Sequence, residues 1–371
     1  MNMTAIRGRL PGAFVALLLP CCALAAQGPD EGREGHGAYA AHALVSDGAV
    51  AADFTDTHLV NPWGVAFNPN APAWIANNGT GTSTLYDGAG TAQALVVQIP
   101  PAANGDGAGH PTGVVYNLSN DFVVSNGTAS GASRFLFAGE DGSISGWAPS
   151  VNVTHAVLAV DRSATGAVYK GLALGGNGST HLLYATDFHN RRVDVFEAHF
   201  AAVTKPGAFE DSAVPANFAP FGIQNVNGDI VVTYAEQDSA AHDNVNGAGL
   251  GMVDVFDADG MLIRHVAMRG ALNAPWGVAL APASFGRFGG ALLVGNFGDG
   301  AINAFDPISG HSLGSLRDAD GHRLHLDGLW GISFGNGVLG QATNALYYAA
   351  GTNDEQDGVY GVIRAVDQLD H

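Results

Sequence analysis

The sequence predicts an all-β fold, a six-bladed β-propeller, and two observations carry that prediction. First, a short apolar motif centred on glycine recurs six times, with 49 to 58 residues between successive glycines. Second, each motif is followed by β-branched and aromatic runs that turn residues separate. A period near fifty residues with several strands per repeat is typical of propellers, so six copies predict six blades. The glycines are Gly64, Gly113, Gly171, Gly222, Gly277 and Gly331.

The first blade shows the predicted order of strands most clearly. Residues 64–67 form an inner strand of small apolar side chains, and residues 73–76 form the second. Residues 83–86 form the third strand and residues 94–99 the outer fourth. Later motifs repeat this order. In the second blade, residues 120–132 are an insertion, which accounts for the longest interval between glycines.

The sixth blade is one strand short. Its predicted strands are residues 331–334, 345–348 and 359–366. The apolar segment 42–45 precedes the first blade and can supply the missing strand. Because closure of the ring removes an unpaired sheet edge, we predict that this N-terminal strand completes the last blade. The alternative is a three-stranded last blade with a loose N-terminus.

The first 26 residues have the pattern of an export signal. Arg7 and Arg9 precede an apolar run that ends in Ala23-Leu-Ala25, which offers small residues for cleavage. The run is too short to span a bilayer. We therefore predict a signal peptide over residues 1–26 and a secreted or periplasmic protein. The alternatives are a buried N-terminal element and a lipid attached to Cys21.

The cysteines and the charge limit the chemistry of the remaining chain. Cys21 and Cys22 both lie in the predicted signal, so the mature chain would have no thiol for a disulfide or a nucleophile. We predict a flexible leader over residues 27–40 and one propeller over residues 41–368. The net charge of −19 makes nucleic acid and anionic membranes poor partners. Cations, basic proteins and neutral carbohydrate remain, and we expect a monomer whose charge also serves solubility.

The stretch Tyr184-Ala-Thr-Asp187-Phe-His-Asn190-Arg-Arg192-Val-Asp-Val-Phe196 resembles an NHL repeat, the unit of one class of six-bladed propeller. Leu44-Val-Ser-Asp-Gly48 and Asn61-Pro-Trp-Gly64 resemble a family of exported bacterial propellers without an assigned activity. The wider fold is similar to gluconolactonases, paraoxonases and streptogramin lyases. These resemblances imply either a binding module or an enzyme, because a propeller fold does not decide function.

The loops between second and third strands are expected to gather at one end of the propeller axis, as a funnel. Every blade carries an acid or an amide there, and six oxygen-bearing side chains suit a calcium ion. In lactonases of similar fold, a metal so placed polarises a carbonyl group. The alternative is that Asn and Asp simply favour turns. The predicted ligands are Asn77, Glu140, Asp187, Glu236, Asn296 and Asn353.

Two histidines are candidate general bases. His189 follows Asp187 in a funnel loop, and His110 precedes the second inner strand. The alternative for each is an exposed, solvated side chain. The sequence has no HExxH motif and no nucleotide-binding motif. It therefore predicts no nucleotide or organic cofactor, with calcium as the only cofactor considered.

Four aromatic residues occupy the position directly before an inner-strand glycine: Trp63, Phe221, Trp276 and Trp330. Packing between blades is favoured for them over a rim that binds a sugar or peptide. Two functions follow from the sequence. The first is a binding or scaffold module that holds a protein, peptide, glycan or small molecule on the funnel face. The second is a calcium-dependent lactonase or lyase.

Overall fold

The protein is a six-bladed β-propeller, as the sequence predicts. The computed structural model describes residues 37–178 and 180–366. Six small sheets each contribute one inner strand, and each inner strand contacts the next around a closed ring. The predicted signal peptide 1–26 and leader residues 27–36 lie outside the described residues. Within the described part, no helix has the length and hydropathy needed to cross a membrane.

The strands follow the order predicted from the first repeat, from the axis outwards. Two strands precede the first blade: β1 (Tyr39–Ser46) and β2 (Phe54–Thr55). Blade one contains β3 (Pro62–Phe67), β4 (Ala73–Asn77), β5 (Thr82–Tyr86) and β6 (Val97–Gln98). Blade two contains β7 (Pro111–Tyr116), the inserted hairpin β8 (Val123–Ser125) and β9 (Ser130–Ala132), then β10 (Phe135–Gly139), β11 (Ser143–Trp147) and β12 (Val157–Asp161).

The remaining blades repeat the same antiparallel order. Blade three contains β13 (Tyr169–Gly176), β14 (His181–Asp187), β15 (Arg192–Glu197) and β16 (Ala202–Val203). Blade four contains β17 (Phe218–Val226), β18 (Asp229–Gln237), β19 (Asn244–Val245), β20 (Met252–Phe256) and β21 (Leu262–Met268). Blade five contains β22 (Pro275–Leu280), β23 (Leu292–Asn296), β24 (Ile302–Phe305) and β25 (Ser312–Ser315), and blade six contains β26 (Leu329–Phe334), β27 (Leu346–Ala350) and β28 (Val359–Ala365). Short helical turns lie at Ser163–Thr165, Gly286–Phe288 and Thr352–Glu355.

The N-terminal strand closes the ring. β1 pairs antiparallel with β28, in a register that places Tyr39 opposite Ala365 and Ser46 opposite Val359. The sheet order β2-β1-β28-β27-β26 therefore completes blade six with a strand from the other end of the chain. The strand is longer than the predicted segment 42–45. The parallel pairing of β2 with β1 was not predicted.

The six motif glycines lie where neighbouring inner strands approach most closely. A Cβ atom on each of them would meet the inner strand of the next blade around the ring. On Gly222 it would overlap the carbonyl oxygen of Trp276, and on Gly171 it would lie 3.0 Å from the carbonyl oxygen of Phe221. The repeated glycine is thus explained by backbone packing at the crowded axis.

Replacing Gly222 by alanine should therefore destabilise the protein by about 1–3 kcal/mol, because the added methyl group forces the inner strands of blades four and five apart. Gly171→Ala is the matched control at the same repeat position, and its smaller overlap should cost less. Urea denaturation of the two variants measures the difference. Equal losses of stability would show that strand spacing is not what selects glycine here.

Candidate functional site

The side chains that could bind a ligand or react gather at one end of the propeller axis. The starts of the inner strands lie beside the ends of the second strands, since Pro62 pairs with Asn77 and Tyr169 pairs with Asp187. The loops between second and third strands therefore gather at this end, as expected. We call this end the axial mouth.

An aromatic plug, made of Trp63, Phe221, Trp276 and Trp330, lies beneath the axial mouth. All four side chains are buried. The rings of Trp63 and Trp330 stack with centroids 3.4 Å apart, and Trp276 meets them edge-on at 6.1 and 5.7 Å. The packing interpretation is thus correct, because Trp330 meets the rings of both adjacent blades, and Trp63 and Trp276 also meet each other across blade six.

Lys170 holds the equivalent position in blade three, where it replaces an aromatic ring by a charge. Its side chain is only 2% exposed, and Nζ lies 5.2 Å from the centroid of the Trp63 ring. Nζ donates to Glu140 Oε1 at 2.5 Å and to Asp243 Oδ1 at 3.0 Å. Burial acts to lower the pKa of Lys170, but the charges of Glu140 and Asp243 outweigh it and the pKa is raised. The lysine therefore stays an ammonium ion.

The two carboxylates that bind Lys170 come from different blades. Glu140 follows β10 in blade two and also accepts a hydrogen bond from Asn78 Nδ2 at 2.8 Å. Burial acts to raise the pKa of Glu140, but the charge of Lys170 outweighs it, so the pKa is lowered. Asp243 lies in the blade-four loop, is 66% exposed, and has its pKa lowered by the same ammonium against the effect of burial. Both are therefore ionised at neutral pH.

A third carboxyl group, that of Glu355, is held beside them by an unusual turn. Asn353, Asp354 and Glu355 all have left-handed backbone conformations, with φ of 55°, 51° and 64°. Such conformations cost non-glycine residues about 1–2 kcal/mol each. Glu355 Oε1 is buried and has no hydrogen-bond partner among the described residues. Backbone strain that fixes an unsatisfied group is typical of functional sites.

The electrostatics of the axial mouth leave negative charge in excess. Burial first, and the charge of Glu140 second, raise the pKa of Glu355, while a hydrogen bond with Asn61 opposes them. Three carboxyl groups thus surround one ammonium group. Glu140, His242 and Asp243 also place ligand atoms within 4.8 Å of one another, a spacing that suits a cation. Lys170 already supplies a positive charge between Glu140 and Asp243.

The structure places three of the predicted calcium ligands inside their own blades. Asn77 Nδ2 donates to the hydroxyls of Thr82 and Thr84. Asp187 accepts from the backbone of Val168 and from Asn190, and Asn296 Nδ2 donates to Ala271 and Asp299. These hydrogen bonds brace the turns in which the residues lie.

The other predicted ligands divide between the mouth and its rim. Glu140 belongs to the Lys170 cluster, whereas Glu236 accepts from Asn217 and Asn353 donates to Asp357. No hydrogen bond found in the described chain joins any two of the six predicted ligands. A calcium ion shared by all six stays a prediction.

The candidate bases are both exposed. His189 Nδ1 lies 3.2 Å from the carbonyl oxygen of Ala241, in the loop of the next blade. His110 is linked to the cluster only through its backbone, because its carbonyl accepts the amide of Glu140. A catalytic role for either histidine stays a prediction.

Sequence reasoning missed the residues that dominate the mouth. The sequence does contain a signal for Lys170, because it is the one basic residue at a repeat position otherwise held by Trp, Phe or Thr. Asp243 lies in a second-to-third-strand loop that is longer in blade four than in blade one, so no repeat position marks it. Glu355 lies in the blade-six loop, and the direction of its side chain depends on the left-handed turn.

Comparisons with known proteins define the family. No family model matches the chain. Two proteins of Acanthamoeba polyphaga mimivirus, "Uncharacterized protein R648" and "Uncharacterized protein L690", are each 32% identical to it over 326 and 324 residues. The alignments cover 86% of this chain and 78% and 83% of the viral proteins. The chain belongs to their family.

Solved structures show the same fold with distant sequences. A streptogramin B lyase superposes with a TM-score of 0.51 and 12% identity, over 88% of this chain and 97% of the lyase. The soluble aldose sugar dehydrogenase of Escherichia coli gives 0.51 and 13%, over 88% and 99%. Identity this low shows a shared propeller fold alone. The relatives with similar sequence are viral, so the bacterial origin and the export expected from the sequence stay predictions.

Proposed function

We propose that the protein is a binding propeller whose axial mouth takes the cationic side chain of a basic peptide or protein. The observation that carries this proposal is Glu355 Oε1, which is buried, lacks a donor and is held in place by a strained turn. A guanidinium or ammonium group would supply the missing hydrogen bond as a charge-assisted one. It would also reduce the repulsion between Glu355 and Glu140 that raises the pKa of Glu355.

The surroundings of the mouth favour a peptide over a neutral glycan. The chain carries a net charge of −19, which draws basic partners towards it. A cleft of about 620 Å³ lies beside the mouth, since it is lined by Asn353, two residues from Glu355. Its walls combine the apolar Val50 and Tyr348 with the acidic Asp327. The cleft thus offers room for residues that flank the cationic side chain.

Binding of an acetyl-Gly-Arg-Gly-amide peptide, followed by calorimetry, tests the proposal. The peptide should bind to the natural protein, and its citrulline analogue, which is isosteric but uncharged, should not. Glu355→Gln should weaken binding about tenfold or more, because a hydrogen bond to a charged group is lost. Affinity should also fall as the pH drops through the raised pKa of Glu355, since the protonated carboxyl no longer attracts a cation.

Glu236→Gln is the matched control, because Glu236 lies near the end of β18, at the same end of the axis, but accepts its hydrogen bond from Asn217. This variant should bind the peptide as the natural protein does. Equal affinity for the arginine and citrulline peptides would refute the proposal. An unchanged affinity in Glu355→Gln would do the same.

A metal-dependent lactonase or lyase is the second candidate function. The observation in its favour is a carboxyl group with a raised pKa beside a buried lysine, a combination enriched at catalytic sites. Calcium bound by Glu140, His242 and Asp243 would raise the melting temperature by mass action. A melting curve that responds to neither calcium nor chelator would remove this candidate.

A further inference from the structure

We propose that Asp211, Asp254 and His265, at the edge of blade four, bind a divalent zinc-type metal ion. Asp254 lies on β20, His265 on β21, and Asp211 in the segment that joins blade three to blade four. His265 Nδ1 lies 2.9 Å from Asp254 Oδ1 and 3.4 Å from Asp211 Oδ2. The three ligand atoms all fall within 4.8 Å of one another. This site is separate from the axial mouth and does not depend on the function proposed above.

The distances are close to those around a bound ion. Zinc binds nitrogen and oxygen ligands at about 2.0–2.1 Å, so a tetrahedral ion places its ligand atoms roughly 3.3–3.4 Å from one another. The 3.4 Å between His265 Nδ1 and Asp211 Oδ2 has this value, whereas the 2.9 Å hydrogen bond between His265 Nδ1 and Asp254 Oδ1 must widen by about 0.5 Å. The three side chains therefore need only a small movement to share one ion.

Three unpaired polar atoms provide independent support. Asp254 is fully buried, and its Oδ2 has no hydrogen-bond partner within the described chain. Asp211 Oδ2, on a side chain only 5% exposed, and the hydroxyl of Tyr234, which is 2% exposed, likewise have no hydrogen bond there, although Asp211 Oδ2 lies 3.4 Å from His265 Nδ1. Leaving such groups buried without hydrogen bonds destabilises a protein, and more so when they are charged. A cation would satisfy both carboxylates at once.

Burial and neighbouring carboxyl groups raise the pKa values of Asp254 and Tyr234 at this site. Burial first raises the pKa of Asp254 to about 6, although His265 opposes this effect, and Asp211 adds to the increase. Burial, then the charges of Asp254 and Asp211, raise the pKa of Tyr234, so its hydroxyl lies within their field. Two desolvated carboxyl groups side by side need either a shared proton or a positive charge between them, and a metal ion supplies the positive charge.

The ligand types select the metal. Calcium and magnesium prefer oxygen ligands alone, whereas imidazole together with carboxylate suits zinc. Three protein ligands leave a fourth position open, as in sites that bind water or an exogenous ligand. Asp211 and Tyr234 also line a cleft of about 430 Å³, so that position would face a cavity. The ion would in addition tie the segment between blades three and four to the outer strands of blade four.

Calorimetric titration of chelator-treated protein with zinc chloride tests the site. We expect one zinc ion per chain and a melting temperature that rises with zinc. His265→Gln should weaken zinc binding at least about tenfold. It should still fold, because the side chain is 41% exposed. Asp254→Asn should also abolish the zinc response, and it should raise the melting temperature of the metal-free protein by removing a buried charge.

His322→Gln is the matched control, since Asp318, Asp320 and His322 form a group of the same residue types on an exposed loop. This variant should bind zinc as the natural protein does. Three results would overturn the proposal: no zinc binding, zinc binding that survives both His265→Gln and Asp254→Asn, or tighter binding of calcium than of zinc.

Discussion

A chain that begins at residue 49 should unfold at a much lower urea concentration than a chain that begins at residue 37. The shorter chain lacks β1, so it loses the pairing with β28 and exposes the edge of blade six. It also loses the buried side chains of Tyr39, Leu44 and Val45, each of which contributes roughly 1.5–3 kcal/mol. The expected loss is therefore several kcal/mol.

Tyr39 makes this loss extend beyond blade six. Its ring stacks on Phe288 with centroids 5.8 Å apart, and its hydroxyl donates to the carbonyl of Phe285, both next to the helical turn of blade five. Tyr39→Ala should accordingly reproduce part of the effect. His42→Ala is the control on the same strand, because His42 is exposed and pairs only with Asp53 there. Equal denaturation midpoints for the two chain lengths would show that β1 does not close the ring.

Lys170→Met should destabilise the protein by about 3–5 kcal/mol, the usual result of removing one partner of a buried ion pair. The cost comes mainly from Glu140, since Asp243 is 66% exposed and can turn to water. The loss of stability in Lys170→Met should be smaller at acidic pH. In the natural protein the lowered pKa of Glu140 adds stability above the carboxyl's ordinary pKa, and this is lost as the pH falls through the lowered value. In Lys170→Met the ammonium no longer opposes the effect of burial on the pKa of Glu140. Glu140 therefore takes up a proton more readily as the pH falls, and the cost of its buried charge decreases.

Two further variants separate the ion pair from simple packing. Glu140→Gln combined with Lys170→Met should recover much of the lost stability, because no unpaired charge remains buried. Lys205→Met removes an ion pair of similar length, 2.6 Å, whose Asp259 partner is 53% exposed, and it should lower the stability far less than Lys170→Met does. Chemical denaturation at neutral and acidic pH measures all four proteins. A double variant no more stable than Lys170→Met would contradict the ion-pair explanation.

The fold was predictable because its determinants repeat. Each glycine such as Gly222 meets the same obstacle, the backbone of the next inner strand, so the chain shows the same residue six times. The closing strand was predictable by subtraction, since blade six lacked one strand and a spare apolar segment preceded blade one. The parallel strand β2 was not predicted, because Phe54 and Thr55 are exposed and show no alternation of apolar and polar residues.

The sites were less predictable because they depend on contacts between segments that do not repeat. Asn77 and Asp187 have the side chains of ligands, and the fold shows that the amide nitrogen of Asn77 and the carboxylate of Asp187 also complete the turns of their own blades. Lys170 departs from the repeat, and only the fold shows that it contacts two carboxylates. Asp211 and His265 are separated by more than fifty residues, and no spacing rule links a loop to an outer strand.

The aromatic plug also determines whether solutes can pass along the axis between the two ends of the propeller. A cavity of about 40 Å³ lies between the inner strands, and Trp276 forms part of its wall. A cavity of that size holds only a few water molecules, and the stacked rings of Trp63 and Trp330 block the axis to larger solutes. Anything that enters at the axial mouth must leave by the same opening, so dissociation retraces association and the opposite end is free to carry unrelated chemistry.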